Sequence, residues 1–392
     1  MVQFGGNMHG KGNVGKQMRA LGLMSGTSMD GIDVALIETD GENALTRGPA
    51  MTLAYNLEQR EALAEAVSHA RGIVRRGDRP GNLTATERMV TELHAAAVHA
   101  FCRKQKIDRA TIDVIGFHGQ TVLHRPRQRL TVQLGDGPLL AELSTRPVVY
   151  DLRAEDVAIG GEGAPLVPVY HRALAARIET RPVAVLNIGG VANVTWIGSD
   201  GRLIAFDTGP GNAMIDDLVK RRLGAAFDSD GALAAKGKVH EDYVKEYLRH
   251  TFFAAPAPKS LDRNVFAGEL VDALSIEDAA ATLTAFAAES IAKARENLPE
   301  EPRLWIVCGG GRKNKTLMSM LAGRVENAVV PAEAAGLDGD AIEAEAWAYL
   351  AVRSLKRLPI TFPGTTGVFH PITGGVLAKP PRTAASFLYP ER

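Results

Sequence analysis

Three short loops hold most of the chemistry legible in the 392-residue chain. The first is Ser25-Gly26-Thr27-Ser28, followed by Met29, Asp30, Gly31 and Ile32, with Asp33 just beyond. Glycine lets backbone N–H groups come close to a ligand, and hydroxyls add donors. Such a loop cradles an anion without fixed positive charge. Asp30 and Asp33 are suited to a metal ion carried by phosphates. Gly, Ser and Asp are also ordinary turn formers, so the same stretch reads as a plain hairpin loop. The second loop is Gly189-Gly190. The third is Gly309-Gly310-Gly311, entered from the apolar run Ile306–Cys308 and leaving room for a base or ribose to pack on backbone. Three glycine turns, each after an apolar strand, are better explained by one bound nucleotide than by three unrelated turns.

Asp207 lies in Phe206-Asp207-Thr208-Gly209-Pro210-Gly211-Asn212, at the end of an apolar run and before a predicted helix. Ligands of α/β sheets bind at that end of the strands. A carboxylate there suits general-base work on a hydroxyl or a water; it also suits accepting loop N–H bonds and shaping the turn. His118, in Gly-Phe-His-Gly-Gln-Thr, follows another apolar run and reads equally as a satisfied buried histidine. Glu343 is two-sided as well, because Asp340-Ala-Ile-Glu343 fits a capping box that would spend its carboxylate on a helix start. Lys259, Ser260 and Arg263 suit either an anion contact or a solvated charged loop.

These groups need strands that end in tight loops. Strand patterns at Leu21–Met24 and Ile32–Glu38 flank the first loop and close on a Thr39-Asp40-Gly41 turn. The stretch 182–212 parses the same way: strand, Gly-Gly loop, strand, Ser-Asp-Gly turn, strand, Gly-Pro-Gly loop. We read a weak internal repeat, one β-hairpin in each of two lobes. Helical periodicity covers Leu57–Lys106, broken near Arg76–Asn82, and recurs over Ala213–Leu223, Glu241–Phe253, Ile276–Asn297 and Ala341–Leu358. Asn212 is the expected N-cap of Ala213–Leu223. A strand over Asp113–Phe117 leads into His118, and Leu304–Gly311 is a buried strand entering the triple-glycine turn. The glycine-rich segment Ile159–Pro168 is the natural divide. We therefore expect a disordered tail over 1–19, an N-terminal lobe over 20–158 to which about 360–392 can return, and a C-terminal lobe over 159–359.

Lys plus Arg and Asp plus Glu both total 45, so net charge is zero. That removes any electrostatic reason to expect nucleic acid or an anionic membrane as partner. An anionic ligand must then be held by local devices, such as the glycine loops. No run of about 18 apolar residues predicts a membrane span, and the first twenty residues lack the apolar core of a signal peptide. Cys102 and Cys308 are far apart and without metal-type spacing, which fits a reduced cytoplasmic setting.

The arrangement of two phosphate hairpins and an adenosine turn resembles the actin/hexokinase-type ATPases. The motifs GLMSGTSMDGID, GFHGQT, TVQLGD, GGEGAPLVP, VLNIGGVANV, FDTGPGN, FDSDGA, KSLDR, VCGGG and IEAEAWAYLA, in that order from Gly22 onward, resemble one family closely: anhydro-N-acetylmuramic acid kinase. Residues 1–19 and the tail after Lys379 fall outside the likeness. The resemblance implies a two-lobed α/β fold with mixed sheets flanked by helices. It implies a cytoplasmic enzyme of peptidoglycan recycling, often a homodimer, that uses ATP and Mg²⁺. Water opens the bridge of 1,6-anhydro-N-acetylmuramic acid while O6 takes the γ-phosphoryl group. It makes Asp207 the base, places Ser25–Ile32, Gly189, Gly190 and Gly309–Gly311 around the nucleotide, and sets His118 and Glu343 on the sugar side. The alternatives are another sugar kinase of the same fold, or a nucleotide-binding regulator without catalysis.

Overall fold

The computed structural model describes residues 15–381. Most of the tail expected over 1–19 lies outside the described residues, and Met18 and Arg19 already belong to a strand.

The first sheet begins with β1 (Met18–Ser25), β2 (Gly31–Thr39) and β3 (Leu45–Ala54), an antiparallel meander. β1 and β2 are buried almost throughout, whereas β3 alternates between half-buried and exposed, as an edge strand with one wet face does. β4 (Val114–Arg125) runs parallel to β1, and β6 (Val148–Tyr150) runs parallel to β4. Between them in sequence, β5 (Leu130–Leu134) turns back antiparallel onto the far half of β4. His118 and Gln120 therefore lie inside a strand, not in a loop after one as the sequence suggested. β4 simply changes partner, from β1 and β6 to β5, as it passes His118.

The second sheet repeats the plan. β7 (Val183–Ile188), β8 (Val191–Ile197) and β9 (Leu203–Pro210) form an antiparallel meander. β10 (Leu304–Cys308) lies parallel to β7, and β11 (Ala328–Pro331) parallel to β10. The chain's last strand, β12 (Val376–Ala378), returns to pair antiparallel with β6 at the edge of the first sheet. Both sheets are mixed and flanked by helices, with the first strand of each meander taking a parallel neighbour on its other side. This is the α/β class with mixed sheets that the resemblance implies.

Two compact units hold these sheets. The first comprises the described residues up to 173 with 343–363 and 367–381; the second comprises 174–342 with 364–366. The break thus falls between 173 and 174, not at 159, and residues 343–359 join the first unit. The physical reasons are specific. The Asp156 carboxylate accepts from Gly163 N at 2.6 Å and Arg153 donates to the Gly163 carbonyl at 2.8 Å, so the glycine-rich segment is tied into the first unit. Helix Ile342–Leu355 lies against the middle of the first sheet. A Cβ on Gly22 would run into the Ala344 carbonyl, and one on Gly116 into that of Trp347. Glycine at these two strand positions is what lets backbone meet backbone, and that contact sets where Glu343 sits.

The first unit's core gathers Leu21, Leu23, Val34, Phe101, Ile115 and Phe117; the second's gathers Leu186, Val194, Phe206, Trp305 and Leu317. Among the described residues no helix is long and apolar enough to cross a membrane. Cys102 and Cys308 are buried and form no disulfide.

Candidate active site

In the first unit, β1 ends at Ser25, which is fully buried. Its hydroxyl donates to Gln120 Oε1 at 2.6 Å and lies 2.9 Å from the Tyr55 hydroxyl. A single proton serves each hydroxyl, so Tyr55 is the donor in that second contact. Burial pushes the Tyr55 phenol up to about 12, which keeps it protonated. The Ser25 side chain is thus spent within the sheet, and Gln120 reaches on to the Gly26 carbonyl at 3.1 Å. Past that anchor the loop is open. Thr27, Ser28 and Asp30 are exposed, and Ser28 Oγ donates to Asp30 Oδ1 at 2.9 Å. Met29 takes a left-handed backbone, φ 55°, and its N–H closes the turn on the Gly26 carbonyl. A Cβ on Gly26 would meet nothing closer than Ser28 Oγ at 3.5 Å. Gly31 differs: a Cβ there would crowd the Leu53 carbonyl at 2.6 Å, so this glycine answers to strand pairing, and Ile32 is core. Gly26, Thr27, Ser28 and Asp30 form the accessible part of the predicted cradle.

His118 sits behind this loop, 5% exposed. Its Nδ1 lies 3.0 Å from the Ser25 carbonyl and its Nε2 lies 3.2 Å from Arg153 Nη2. Carbonyls only accept and guanidinium groups only donate. The ring is therefore neutral, with the proton on Nδ1, and burial followed by the Arg153 charge holds its pKa well below the usual histidine value. Both nitrogens are engaged inside the unit. Glu343 and Asp156 supply the charge that offsets Arg153. Arg153 went unnoticed in the sequence; its only signal is its place in VVYDLR, directly after a strand. The capping-box partner expected for Glu343 is otherwise employed, since the Asp340 carboxylate is ion-paired with Arg312 and Lys313.

The second unit collects the remaining predicted groups at one end of its sheet. β7 and β8 are joined by Gly189-Gly190, and β10 runs alongside β7 into Gly309–Gly311. Gly309 has φ 73°, and a Cβ on it would strike the Asn187 amide, so the third turn wraps directly on the end of β7. Arg312 pins that turn, donating to the Gly309 carbonyl at 2.9 Å while bound to Glu333 and Asp340. Gly190 and Gly310 keep their Cβ sides open to ordinary contact distance or beyond. Asn212 was expected to cap its helix with its side chain. Instead its amide reaches back to the Ile188 carbonyl at 3.4 Å, and the N–H groups of Gly211, Asn212 and Ala213 bond the carbonyls of Gly189 and Gly190.

Asp207 lies on β9 beside a bulge. Gly209 pairs with Ala192 and Asp207 with Asn193, which leaves Thr208 as the extra residue. Bulges bend a strand and re-aim side chains. The chain over 259–261 docks on this spot: Asp207 N donates to the Lys259 carbonyl at 2.9 Å, and Leu261 N donates to Asp207 Oδ2 at 2.8 Å. Lys259 itself turns away, donating to the Phe252 carbonyl at 3.1 Å and lying 4.7 Å from the Phe252 ring centre. Arg263 pairs with Asp217 at 2.8 Å. The backbone of 259–261 does the orienting, which residue type alone does not reveal.

Among the described residues no group of three or more His, Cys, Asp or Glu side chains is gathered to hold a metal alone. Magnesium needs no such cage, being held by one or two carboxylates together with phosphates. Asp30, exposed, and Asp33, half-buried, are donors of that kind.

The mixed α/β sheets, together with the family match that follows, make the chain a kinase of the sugar-kinase class. Residues 18–380 match the family described as anhydro-N-acetylmuramic acid kinase. The chain belongs to that family. It is 56% identical over 369 residues to the anhydro-N-acetylmuramic acid kinase of Azorhizobium caulinodans, covering 93% of this chain and 100% of the relative. It is 53% identical over 365 residues to that of Bradyrhizobium diazoefficiens, with the same coverages. Among solved structures it is similar to gluconate kinase from Lactobacillus acidophilus, at TM-score 0.45 and 9% identity, over 93% of this chain and 94% of that one.

Proposed function

We infer that the chain converts 1,6-anhydro-N-acetylmuramic acid and ATP to N-acetylmuramic acid 6-phosphate and ADP, with Asp207 as the single base. The observation that carries this is the orientation of Asp207: one carboxylate oxygen is held by Leu261 N–H at a strand bulge, next to glycine turns suited to a nucleotide. Asp207 takes the proton of a water whose oxygen bonds to C1. The C1–O6 bond breaks, and O6 forms the new bond to the γ-phosphorus as the bond to ADP breaks. One base serves both events, because O6 departs already able to accept phosphorus. The rest of the work is positioning and charge neutralisation. Backbone and hydroxyl donors of Gly26–Ser28 hold phosphate oxygens, and Gly189, Gly190 and Gly309–Gly311 bracket the nucleotide. Glu343 faces the sugar, and His118 supports that side from behind. Bound Mg²⁺ supplies charge neutralisation on the phosphates, with Asp30 and Asp33 as its carboxylates.

The reading places the enzyme in the cytoplasm, handling a peptidoglycan breakdown sugar as part of cell-wall recycling, with a homodimer as its assembly. The test is turnover in ¹⁸O water. Label at C1 of the 6-phosphate is the expected product. Phosphorylated sugar without label would make the protein an ordinary hydroxyl kinase, and no sugar-dependent ATP consumption would make it a regulator.

A further inference from the structure

Arg153 ties together groups that the phosphoryl chemistry leaves unexplained. Nη1 donates to the Gly163 carbonyl at 2.8 Å and Nη2 to His118 Nε2 at 3.2 Å. The guanidinium carbon lies 5.2 Å from the Trp347 ring centre, and the His118 ring lies 4.6 Å from the same ring. Asp156 lies on the same segment, its carboxylate accepting from Gly163 N–H, and the charges of Glu343 and Asp156 favour the charged guanidinium. Trp347 lies one turn after Glu343 on helix Ile342–Leu355, so Arg153 meets that helix at the indole ring, one turn from the Glu343 carboxylate. From His118 the link continues to the Ser25 carbonyl, where the exposed loop begins.

His118 has no nitrogen left for a ligand while it bonds Ser25 and Arg153. We propose that Arg153 is the positioning residue on the sugar side: His118 orients the guanidinium, and the guanidinium in turn sets the Glu343 carboxylate. This rests on the reading of Glu343 as a sugar contact. Only a planar fork with several donors and a face for the indole meets all these neighbours, so lysine is a poor substitute. His118 then acts on the sugar only through Arg153.

The test is a cycle of Arg153→Met, Glu343→Gln and the double variant in the full-length enzyme. Arg153→Met should raise the sugar KM about tenfold or more, with ATP affinity by calorimetry changed less than about threefold and the melting temperature lowered by only a few degrees, since the Gly163 carbonyl loses its donor. The double variant should be no worse than the poorer single one, since residues acting as a unit do not add. Arg153→Lys should restore less than half of the loss. If Arg153→Met folds poorly, Arg153→Gln replaces it. Independent multiplication of the two single effects overturns the proposal, as does an unchanged sugar KM or full rescue by lysine. An equal fall in ATP affinity and melting temperature makes Arg153 merely structural, which also overturns it. Should Glu343→Gln alone leave sugar kinetics intact, the site reading fails instead, and that outcome is distinguishable. Imidazole ¹⁵N–¹H spectra give a check without activity: His118 should carry its proton on Nδ1, and an Nε2–H or doubly protonated ring would refute the arrangement.

Discussion

The two hairpins that open the two sheets share a plan and differ in what they spend. In the first unit, the strand-end hydroxyl of Ser25 is consumed by Gln120 and Tyr55, and the turn beyond it displays exposed hydroxyls. In the second, β7 ends on the apolar Ile188; the Gly189-Gly190 carbonyls are consumed by the following helix start, and the proposed base, Asp207, sits two strands over on β9. On the proposed reading one topology serves two tasks: donors for an anion in one unit, a proton acceptor in the other. The units also differ in buried titratable groups. The first holds His94, His118 and His171 in its interior, whereas the second unit's described histidines, His240 and His250, are half-buried or exposed.

The division of labour breaks most visibly at Asp207. Asp207→Asn keeps the Leu261 contact but cannot take a proton; turnover should fall about a thousandfold while ATP still binds. Loss of less than tenfold would move the base elsewhere. Next in size is Gly22→Ala, which probes the backbone contact between β1 and helix Ile342–Leu355. An added Cβ meets the Ala344 carbonyl and should cost about 3 kcal/mol of stability, read as a lower urea midpoint. An unchanged midpoint would mean the helix is not held that closely.

Acid should expose the histidine asymmetry. Burial lowers His94 to about 4 and His171 to about 3, so both are neutral in the folded chain. Below pH 6.5 the unfolded chain takes up protons that the folded chain refuses, and stability falls as pH drops from there toward about 4. By linkage each fully buried histidine costs about 2 kcal/mol at pH 5. Replacing His94, whose ring packs edge-on against Phe117, with Phe should flatten the pH 7 to pH 5 loss by about that amount. An identical pH slope in the variant would clear His94 of the effect. The smallest effect concerns the loop itself. Gly26→Val adds a branched side chain on the open face where phosphate is to lie, and ATP affinity should weaken about tenfold with sugar affinity spared. Equal affinities by calorimetry would put the anion site elsewhere.

Much of this was legible in the residue order. The strand–loop–strand units at 18–39 and 183–210, the helix Ala213–Leu223 and the strand entering Gly309–Gly311 follow from local periodicity and from glycine placement, because both act over a few neighbouring residues. The ordered motifs likewise sufficed to identify the family. What local pattern leaves open is which side chain meets which across the fold. The hydroxyl of Ser25 reads as a ligand donor until Gln120 and Tyr55 are placed on it. The glycines of 160–163 read as a divide until Asp156 and Arg153 bind them in. Helix Ile342–Leu355 reads as part of the neighbouring unit until Gly22 and Gly116 admit it to the first sheet. Arg153 itself is an unremarkable basic residue until His118, Gly163 and Trp347 surround it. Only the tertiary structure decides such matters, because burial and hydrogen-bond partners are set by segments tens to hundreds of residues apart that sequence periodicity does not connect.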